Sequence, residues 1–225
     1  MPRHAVASRR VTVSLLAAAF ALLPAATSAQ IPPPLAREQA LEALRAPDAA
    51  TRVHAIASLA VVGTMADVPG LVRALRDDER VVRGLAERAL WQVWSRSGDA
   101  EVDALFALGL QQMGQGDAGP AIATFGRVIE RKPDFAEGWN KRATLYYLVG
   151  EYEKSLRDCD EVMKRNPAHF GALSGYGQIY MRLNQPEKAL AYFERALAVN
   201  PNMEQVEEVI QELRALVREK RKGTI

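Results

Sequence analysis

The residues of this chain that could do chemistry are few and far apart. Cys159 is the single cysteine, and His54 and His169 are the only histidines after position 4. No pair of them has the i and i+4 spacing that binds a metal from one helix face, and none has the neighbours of an activated nucleophile. The Gly-X-Gly segments at 114–116 and 175–177 are too short for a phosphate loop and lack its lysine. The sequence therefore predicts no catalytic residues, no metal site and no cofactor.

The elements that would position any site repeat with a fixed period. Pro133, Pro167 and Pro201 are equally spaced, so units counted from 102, 136 and 170 each have a proline at place 32. A period of about 34 residues indicates stacked helical hairpins. Small residues recur at place 8 and larger ones at place 24, where two helices approach closely and where the hairpin needs core volume. These residues are Gly109, Ala143 and Gly177 at place 8, and Phe125, Cys159 and Phe193 at place 24.

The three units resemble the tetratricopeptide repeat family. The resemblance implies an all-α, right-handed α-solenoid, with three tetratricopeptide units over residues 102–201 and a capping helix and tail over 202–225. Each hairpin turn contains a residue that tolerates positive φ, namely Gly116, Gly150 or Asn184. The position of Cys159 in the repeat predicts a buried apolar role rather than a nucleophile. Both histidines are predicted to have surface or capping roles, because His54 falls in an amphipathic helix and His169 begins a hairpin.

A second repeat, with a slightly shorter period, precedes these units. Leu44 to Leu59 is echoed by Leu75 to Leu90, which resembles two HEAT-like units over residues 38–99. In that pattern an aspartate stands six places before an inner-helix arginine, as Asp77 does before Arg83, whereas Ala46 stands before Arg52. Asp48 and Asp78 are placed as helix N-caps. Because the joint at 97–99 is short, we expect both repeat sets to share one continuous core.

The N-terminus has the pattern of a targeting segment. Three arginines precede an apolar run from Val11 to Leu23 that ends in Thr27-Ser28-Ala29, which predicts a secretory signal peptide over residues 1–29. The alternative to a cleaved signal peptide is an uncleaved membrane anchor, but this apolar run is shorter than the about 20 residues that a membrane-spanning helix needs. Ser8-Arg9-Arg10 leaves Sec and twin-arginine export both open. A Pro-rich linker over 30–37 follows. The pattern predicts a soluble periplasmic protein.

The charge balance argues against nucleic acid as a partner. The leader holds three of the 29 basic residues and none of the 27 acidic ones, so the remainder carries 26 basic against 27 acidic residues. A nucleic-acid surface needs clustered Lys and Arg on one face. The resemblance instead implies a protein or peptide segment as partner, with no stable membrane insertion after signal cleavage.

In the family, ligand contacts come mainly from the first helix of each hairpin at places 5, 9 and 12. The resemblance thus implies a concave binding face, although Phe106 and Leu110 have the alternative of packing on the preceding hairpin. Some members hold a terminal carboxylate with Lys and Asn, but Glu137 and Thr144 depart from that pattern although Lys141 occupies place 6. The nine predicted positions are Phe106, Leu110, Met113, Asn140, Thr144, Tyr147, Ser174, Gln178 and Met181.

Arg142 lies at place 7, an inward position where a charge is costly unless paired. We expect an ion pair with a carboxylate of the adjoining hairpin. The sequence as a whole predicts a non-catalytic interaction scaffold of the cell envelope that binds a partner segment in its concave groove. The alternative is an accessory subunit of an envelope enzyme or assembly complex that makes contact through its outer helices.

Overall fold

The computed structural model describes residues 33–223, apart from the Arg221 side chain, and that range contains eleven α-helices, one short 3-10 turn and no strand. The predicted all-α solenoid of helical hairpins is confirmed. The signal peptide and the first residues of the Pro-rich linker lie outside the described residues. Within the described range no helix combines the length and apolar composition needed to span a bilayer. The helices are α1 (Arg37–Ala43), α2 (Ala49–Val62), α3 (Val68–Ala74), α4 (Arg80–Trp94), α5 (Ala100–Gly114), α6 (Ala118–Arg131), α7 (Ala136–Leu148), α8 (Tyr152–Arg165), α9 (Phe170–Arg182), α10 (Pro186–Val199) and α11 (Glu204–Arg221).

Helices α1–α4, called the N-terminal hairpins here, have recognisable start and stop signals. The Asp48 carboxylate accepts a hydrogen bond from the Thr51 amide at 2.8 Å and so caps α2, as predicted. Gly63 ends that helix. The cap predicted at Asp78 is wrong, since α4 starts one residue later with Glu79 at the N-cap and no side-chain capping bond. In a run of adjacent acidic residues the pattern does not distinguish neighbouring caps.

Helices α5–α10 form three hairpins, called the repeat hairpins, and α11 packs on α10. Gly116, Gly150 and Asn184 in the three interhelix turns have φ of 84°, 81° and 54°, which confirms the predicted left-handed backbone. In each turn the amide of the next residue donates to a carbonyl five places back, at 2.8–3.0 Å, and so closes the end of the helix. The repeat register thus fixes where each chain reversal occurs.

Close helix approach explains the small residues at place 8. A Cβ atom added to Gly177 would lie 2.7 Å from the Phe193 ring, and one added to Gly109 would lie 2.7 Å from the ring of Phe125. In the middle hairpin the pair is Ala143 with Cys159, and both are buried. The predicted pairing of small and large residues within each hairpin is confirmed.

Arg142 does form an ion pair, but its partner belongs to the same hairpin rather than the adjoining one. Its Nε and one terminal nitrogen each donate to an Asp158 carboxylate oxygen at 2.8 Å, from α7 to α8. The guanidinium also lies over the rings of Trp139 and Tyr146. A bidentate pair of this kind satisfies the charge at an inward position.

In the N-terminal hairpins, Asp77 pairs with Arg52 rather than with Arg83, the arginine six places after it. The Asp77 carboxylate accepts two hydrogen bonds from the Arg52 guanidinium of the preceding hairpin, at 2.7 and 2.8 Å. Arg83 instead donates to the backbone carbonyls of Asp77 and Asp78. The two hairpins are therefore linked by a charged pair between units.

The N-terminal hairpins pack against the turns that connect the repeat hairpins. Their core cluster includes Phe170 and contacts Ala168, Val199 and Met203, whereas α5 and α6 enclose a separate cluster around Phe125. The two repeat sets therefore share core at Phe170, as expected, but the core is not continuous through the first repeat hairpin, which encloses a cluster of its own. The chain places α1–α4 against the second and third units instead.

Polar contacts reinforce that packing. Arg83 Nε donates to Asn202 Oδ1 at 2.9 Å, and Asn202 Nδ2 donates to the Leu75 carbonyl at 2.8 Å. Arg76 donates to the Val199 carbonyl at the end of α10 at 3.2 Å, where a cation complements the helix dipole. The turn before α11 is thereby tied to α3 and α4.

The close contact at Gly177 generates the first prediction. Gly177→Ala places a methyl group against Phe193 and should lower the free energy of unfolding by about 1–3 kcal/mol, the usual cost of overpacking. Gly175→Ala, two places earlier on α9, is the matched control, because its Cβ would meet only Cys159 Sγ at 3.9 Å. That variant should be neutral or more stable by up to about 1 kcal/mol. Urea denaturation measures both, and equal effects would contradict the packing argument.

Candidate functional site

Cys159 is buried, as predicted, and is unsuited to nucleophilic chemistry. It packs with Ala143, Tyr176 and Ile179 between α7, α8 and α9. Burial, with the nearby negative charges of Asp158 and Asp160, raises the pKa of its thiol to about 12. The reactive thiolate is therefore scarce at neutral pH.

His169 is fully buried, so the surface role considered for it is wrong and the capping role is confirmed. Its Nδ1 accepts a hydrogen bond from the Ala172 amide at 3.0 Å and caps α9. Since Nδ1 is an acceptor, the ring proton sits on Nε2, which lies 2.9 Å from Glu137 Oε2. The neutral Nε2–H tautomer thus donates to the Glu137 carboxylate.

Glu137 is the centre of a buried polar cluster that the sequence did not predict. The Lys141 ammonium lies 2.9 Å from one carboxylate oxygen, and Asn140 Nδ2 donates to both oxygens at 3.1 and 3.2 Å. Burial by itself raises the pKa of Glu137, but the hydrogen bond from His169 and the charge of Lys141 outweigh it and lower that pKa to about 2. The carboxylate is ionised and fully satisfied.

Two tryptophans of α4 cover this cluster. The Trp94 ring stacks on His169 with centroids 4.5 Å apart, and the Trp91 ring meets His169 edge-on at 5.4 Å. The Lys141 ammonium lies 5.6 Å from the Trp91 ring centroid. A Cβ atom added to Gly171 would lie only 2.6 Å from Trp91. The chain thus fills part of its own concave face.

Helical periodicity divides that face in two. Places 2, 5, 6, 9, 12 and 13 of the first helix in a unit follow i, i+3 and i+4 spacing and share one side. We call places 2, 5 and 6 the closed half, because in the second and third units most of these residues are buried or lie beside the α4 tryptophans, with Gly175 as the exception. They are Glu137, Asn140, Lys141, Gly171, Ser174 and Gly175. Places 9, 12 and 13 form the open half. They are Leu110, Met113, Gly114, Thr144, Tyr147, Leu148, Gln178, Met181 and Arg182.

Three of the nine predicted contact residues fall in the closed half. Phe106 is 3% exposed and packs against Phe125 and Phe135 in the first repeat hairpin, so neither a groove position nor packing on the preceding hairpin describes it. Asn140 is 8% exposed and engaged with Glu137, and Ser174 is 7% exposed. Place 5 is therefore part of the core in this chain.

The other six predicted residues lie in the open half. Leu110 is 40% and Met181 46% exposed, Gln178 is exposed, and Met113, Thr144 and Tyr147 are half-buried. The structure brings Thr144, Tyr147 and Gln178 together around one small cleft of about 50 Å³, which extends into the closed half, where Asn140, Gly171 and Gly175 line it. Sequence reasoning missed Leu148, which is 64% exposed, although its place 13 spacing was a usable signal.

No group of three His, Cys, Asp or Glu side chains among the described residues could hold a metal ion. In the densest polar cluster Glu137, His169 and Asn140 are buried, and Lys141 is partly exposed but paired with Glu137. What the concave face offers to another molecule is chiefly the open half, with its apolar and uncharged polar side chains and the single charge of Arg182.

Two segments of the chain match models of the tetratricopeptide repeat, residues 106–162 and residues 170–203. These matches cover most of the repeat hairpins and support tetratricopeptide repeats there. The HEAT-like interpretation of α1–α4 stays a prediction.

The chain is similar to parts of proteins from several organisms. A TPR repeat-containing protein of Rhizobium etli is 35% identical over 108 residues, which are 48% of this chain and 53% of that protein. Anaphase-promoting complex subunit 7 of Dictyostelium discoideum is 31% identical over 84 residues, 37% of this chain and 14% of that protein. The chain thus spans about half the length of the first relative and much less of the second.

Solved structures show the same fold in the repeat region. The Sgt2 TPR domain from Aspergillus fumigatus matches with a TM-score of 0.53 at 19% identity, over 56% of this chain and 85% of that one. The first TPR of Spaghetti (RPAP3), bound to an HSP90 peptide, matches with a TM-score of 0.50 at 20% identity, over 52% of this chain and 93% of that one.

The buried carboxylate generates a pH prediction. A depressed folded-state pKa gives stability that is fully present above the ordinary value of 4.5 and is lost as pH falls towards about 2. The advantage of the wild type over Glu137→Gln in free energy of unfolding should therefore shrink by more than about 1 kcal/mol as the pH falls below 4.5. Urea denaturation at a series of pH values measures it. Glu208→Gln, on the exposed side of α11, is the control, and parallel pH profiles for wild type and Glu137→Gln would contradict the assignment.

Proposed function

We propose that this chain is a non-catalytic protein–protein interaction module whose open half binds a segment of a partner protein. The observation that carries the proposal is the exposure of large apolar side chains, Leu110, Leu148 and Met181, at positions that share one face of stacked helices. Exposed apolar groups concentrated on one face mark interaction sites.

The comparisons support this proposal at the level of the domain. The RPAP3 domain, whose fold the repeat hairpins share, is bound to a peptide in its solved structure. A rigid stack of hairpins can hold an extended or helical segment against the first helices of several units at once. Tyr147 and Met181 supply adaptable apolar contact, and Thr144 and Gln178 supply hydrogen-bonding groups at the small cleft.

We propose a non-catalytic role because three reactive side chains of residues 33–223, those of Cys159, His169 and Glu137, are buried. The Cys159 thiol has a raised pKa and is buried, and His169 and Glu137 are held in a sealed cluster. None of these groups is presented to a substrate.

We also propose that the protein works in the periplasm. The support is the N-terminal sequence, where Arg3, Arg9 and Arg10 precede the apolar run Val11 to Leu23 and a small-residue cleavage site. The partner is then another protein of the cell envelope.

A paired variant tests the working surface. Tyr147→Ala combined with Met181→Ala should reduce recovery of the partner from envelope extracts at least about tenfold, because truncation of anchoring side chains at an interface commonly costs more than about 1 kcal/mol. Quantitative mass spectrometry of the co-purified proteins measures the loss. The matched control is Arg157→Ala combined with Glu194→Ala on the outer helices α8 and α10. Loss with the control pair alone would favour the accessory subunit that contacts its partners through these helices.

The export proposal predicts a specific mature end. Protein purified from the periplasmic fraction of cells that express the full chain should begin at Gln30, as measured by intact mass and N-terminal sequencing. A chain that stays in the cytoplasm with residues 1–29 still attached would contradict it.

A further inference from the structure

In the closed half, the cation and the amide that could bind a charged chain end already contact a carboxylate of this protein. The cation at place 6 of the second unit, Lys141, is committed to Glu137 at 2.9 Å and lies beneath the Trp91 ring. The amide at place 5, Asn140, donates both of its short contacts to the same carboxylate. The positive charge of Lys141 is thus balanced by Glu137, and the Asn140 amide group is engaged with the same carboxylate.

Trp91 and Trp94 of α4, which pack over the closed half, make several close contacts with the third unit. Trp91 fits against Gly171 where even a methyl group would collide, and Trp94 stacks on His169 and contacts Phe170. Farther along, Arg83 is hydrogen-bonded to Asn202. A partner segment that needed the closed half would have to displace these contacts together.

The open half, by contrast, has one charge. Of its nine positions, four are the large apolar residues Leu110, Met113, Leu148 and Met181, and a fifth is Tyr147. Gly114, Thr144 and Gln178 are uncharged, so Arg182 is the single charged side chain of this surface.

The Arg182 guanidinium is held at the surface without an acidic partner. Its Nε donates to Tyr147 Oη at 3.2 Å, and its central carbon lies 5.9 Å from the centroid of the same ring. Among residues 33–223 no carboxylate oxygen forms an ion pair with it. The position in the last turn of α9 favours a cation, but the helix dipole supplies only about half a charge.

We propose that the partner of the open half is an internal, predominantly apolar segment that carries one acidic residue, whose carboxylate pairs with Arg182. This rests on the proposed function and narrows it. The apolar side chains cover the strip from Leu110 to Met181, and the carboxylate meets the one cation in it. We expect no gain from a free C-terminus, because Lys141 at place 6 is already paired with Glu137 and place 9 holds Leu110, Thr144 and Gln178 rather than asparagine.

The experiment uses the full chain and phage-displayed random dodecamer segments, each followed by the coat protein so that no segment has a free C-terminus. Enriched segments are then synthesised with amidated and with free C-termini, and their Kd values are measured by fluorescence anisotropy. We expect enrichment of apolar residues with one Asp or Glu, and equal Kd values for the two C-termini within about twofold.

Arg182→Glu should weaken binding about tenfold, since it replaces an attractive surface pair with a repulsive one. Changing the acidic residue of the segment to Lys should restore the affinity of that variant, in a double-mutant cycle. Arg157→Glu makes the same charge change on the exposed side of α8 and should have no effect.

The outcomes separate this inference from the function beneath it. Tighter binding of free-acid peptides by about tenfold, or binding that is weakened by Met181→Glu but not by Arg182→Glu, would overturn the inference and leave the groove function standing. Segments that bind regardless of Met181→Glu and Arg182→Glu, or a selection that yields no binder, would overturn both.

Discussion

The buried charge of Glu137 is the constraint on which the arrangement of this molecule depends. A carboxylate without exposure to water costs several kcal/mol unless it is paired and hydrogen-bonded. Lys141 and Asn140 supply partners from the same helix, and His169 supplies one from the turn before α9. Water is kept away by Trp91 of α4 and its neighbour Trp94. The cluster is therefore complete only when α4, α7 and α9 are assembled together.

This assembly decides which part of the concave face remains for other molecules. The same contacts that satisfy Glu137 occupy places 2, 5 and 6 of the second unit. The remaining places 9, 12 and 13 expose Leu110, Leu148 and Met181 and carry one charge at Arg182. The surface left open on the repeat hairpins thus depends on how the N-terminal hairpins are packed against them.

Backbone conformation and burial could be predicted from the sequence wherever a residue has counterparts at the same place in the other repeat hairpins. The positive φ at Gly150 and Asn184 and the burial of Cys159 followed from position in the unit, because each hairpin solves the same local packing problem. The contact of Trp91 with Gly171 could not be predicted in this way. It joins two repeat sets of different period, which have no common register. Phe106 was expected on the binding face but lies in the core, because its ring packs against the rings of Phe125 and Phe135. The repeat register does not show that contact.

The N-terminal hairpins also bear on how rigid the open half is. In a simple solenoid each repeat contacts only its neighbours, so small rotations at each interface add up to a flexible curve. Here Trp91 of α4 contacts both Lys141 of α7 and Gly171 of α9. A side chain that packs on both helices resists changes in the angle between α7 and α9. Because Tyr147 and Met181 lie on those two helices, their spacing is set before a partner arrives, and less conformational entropy is lost on binding.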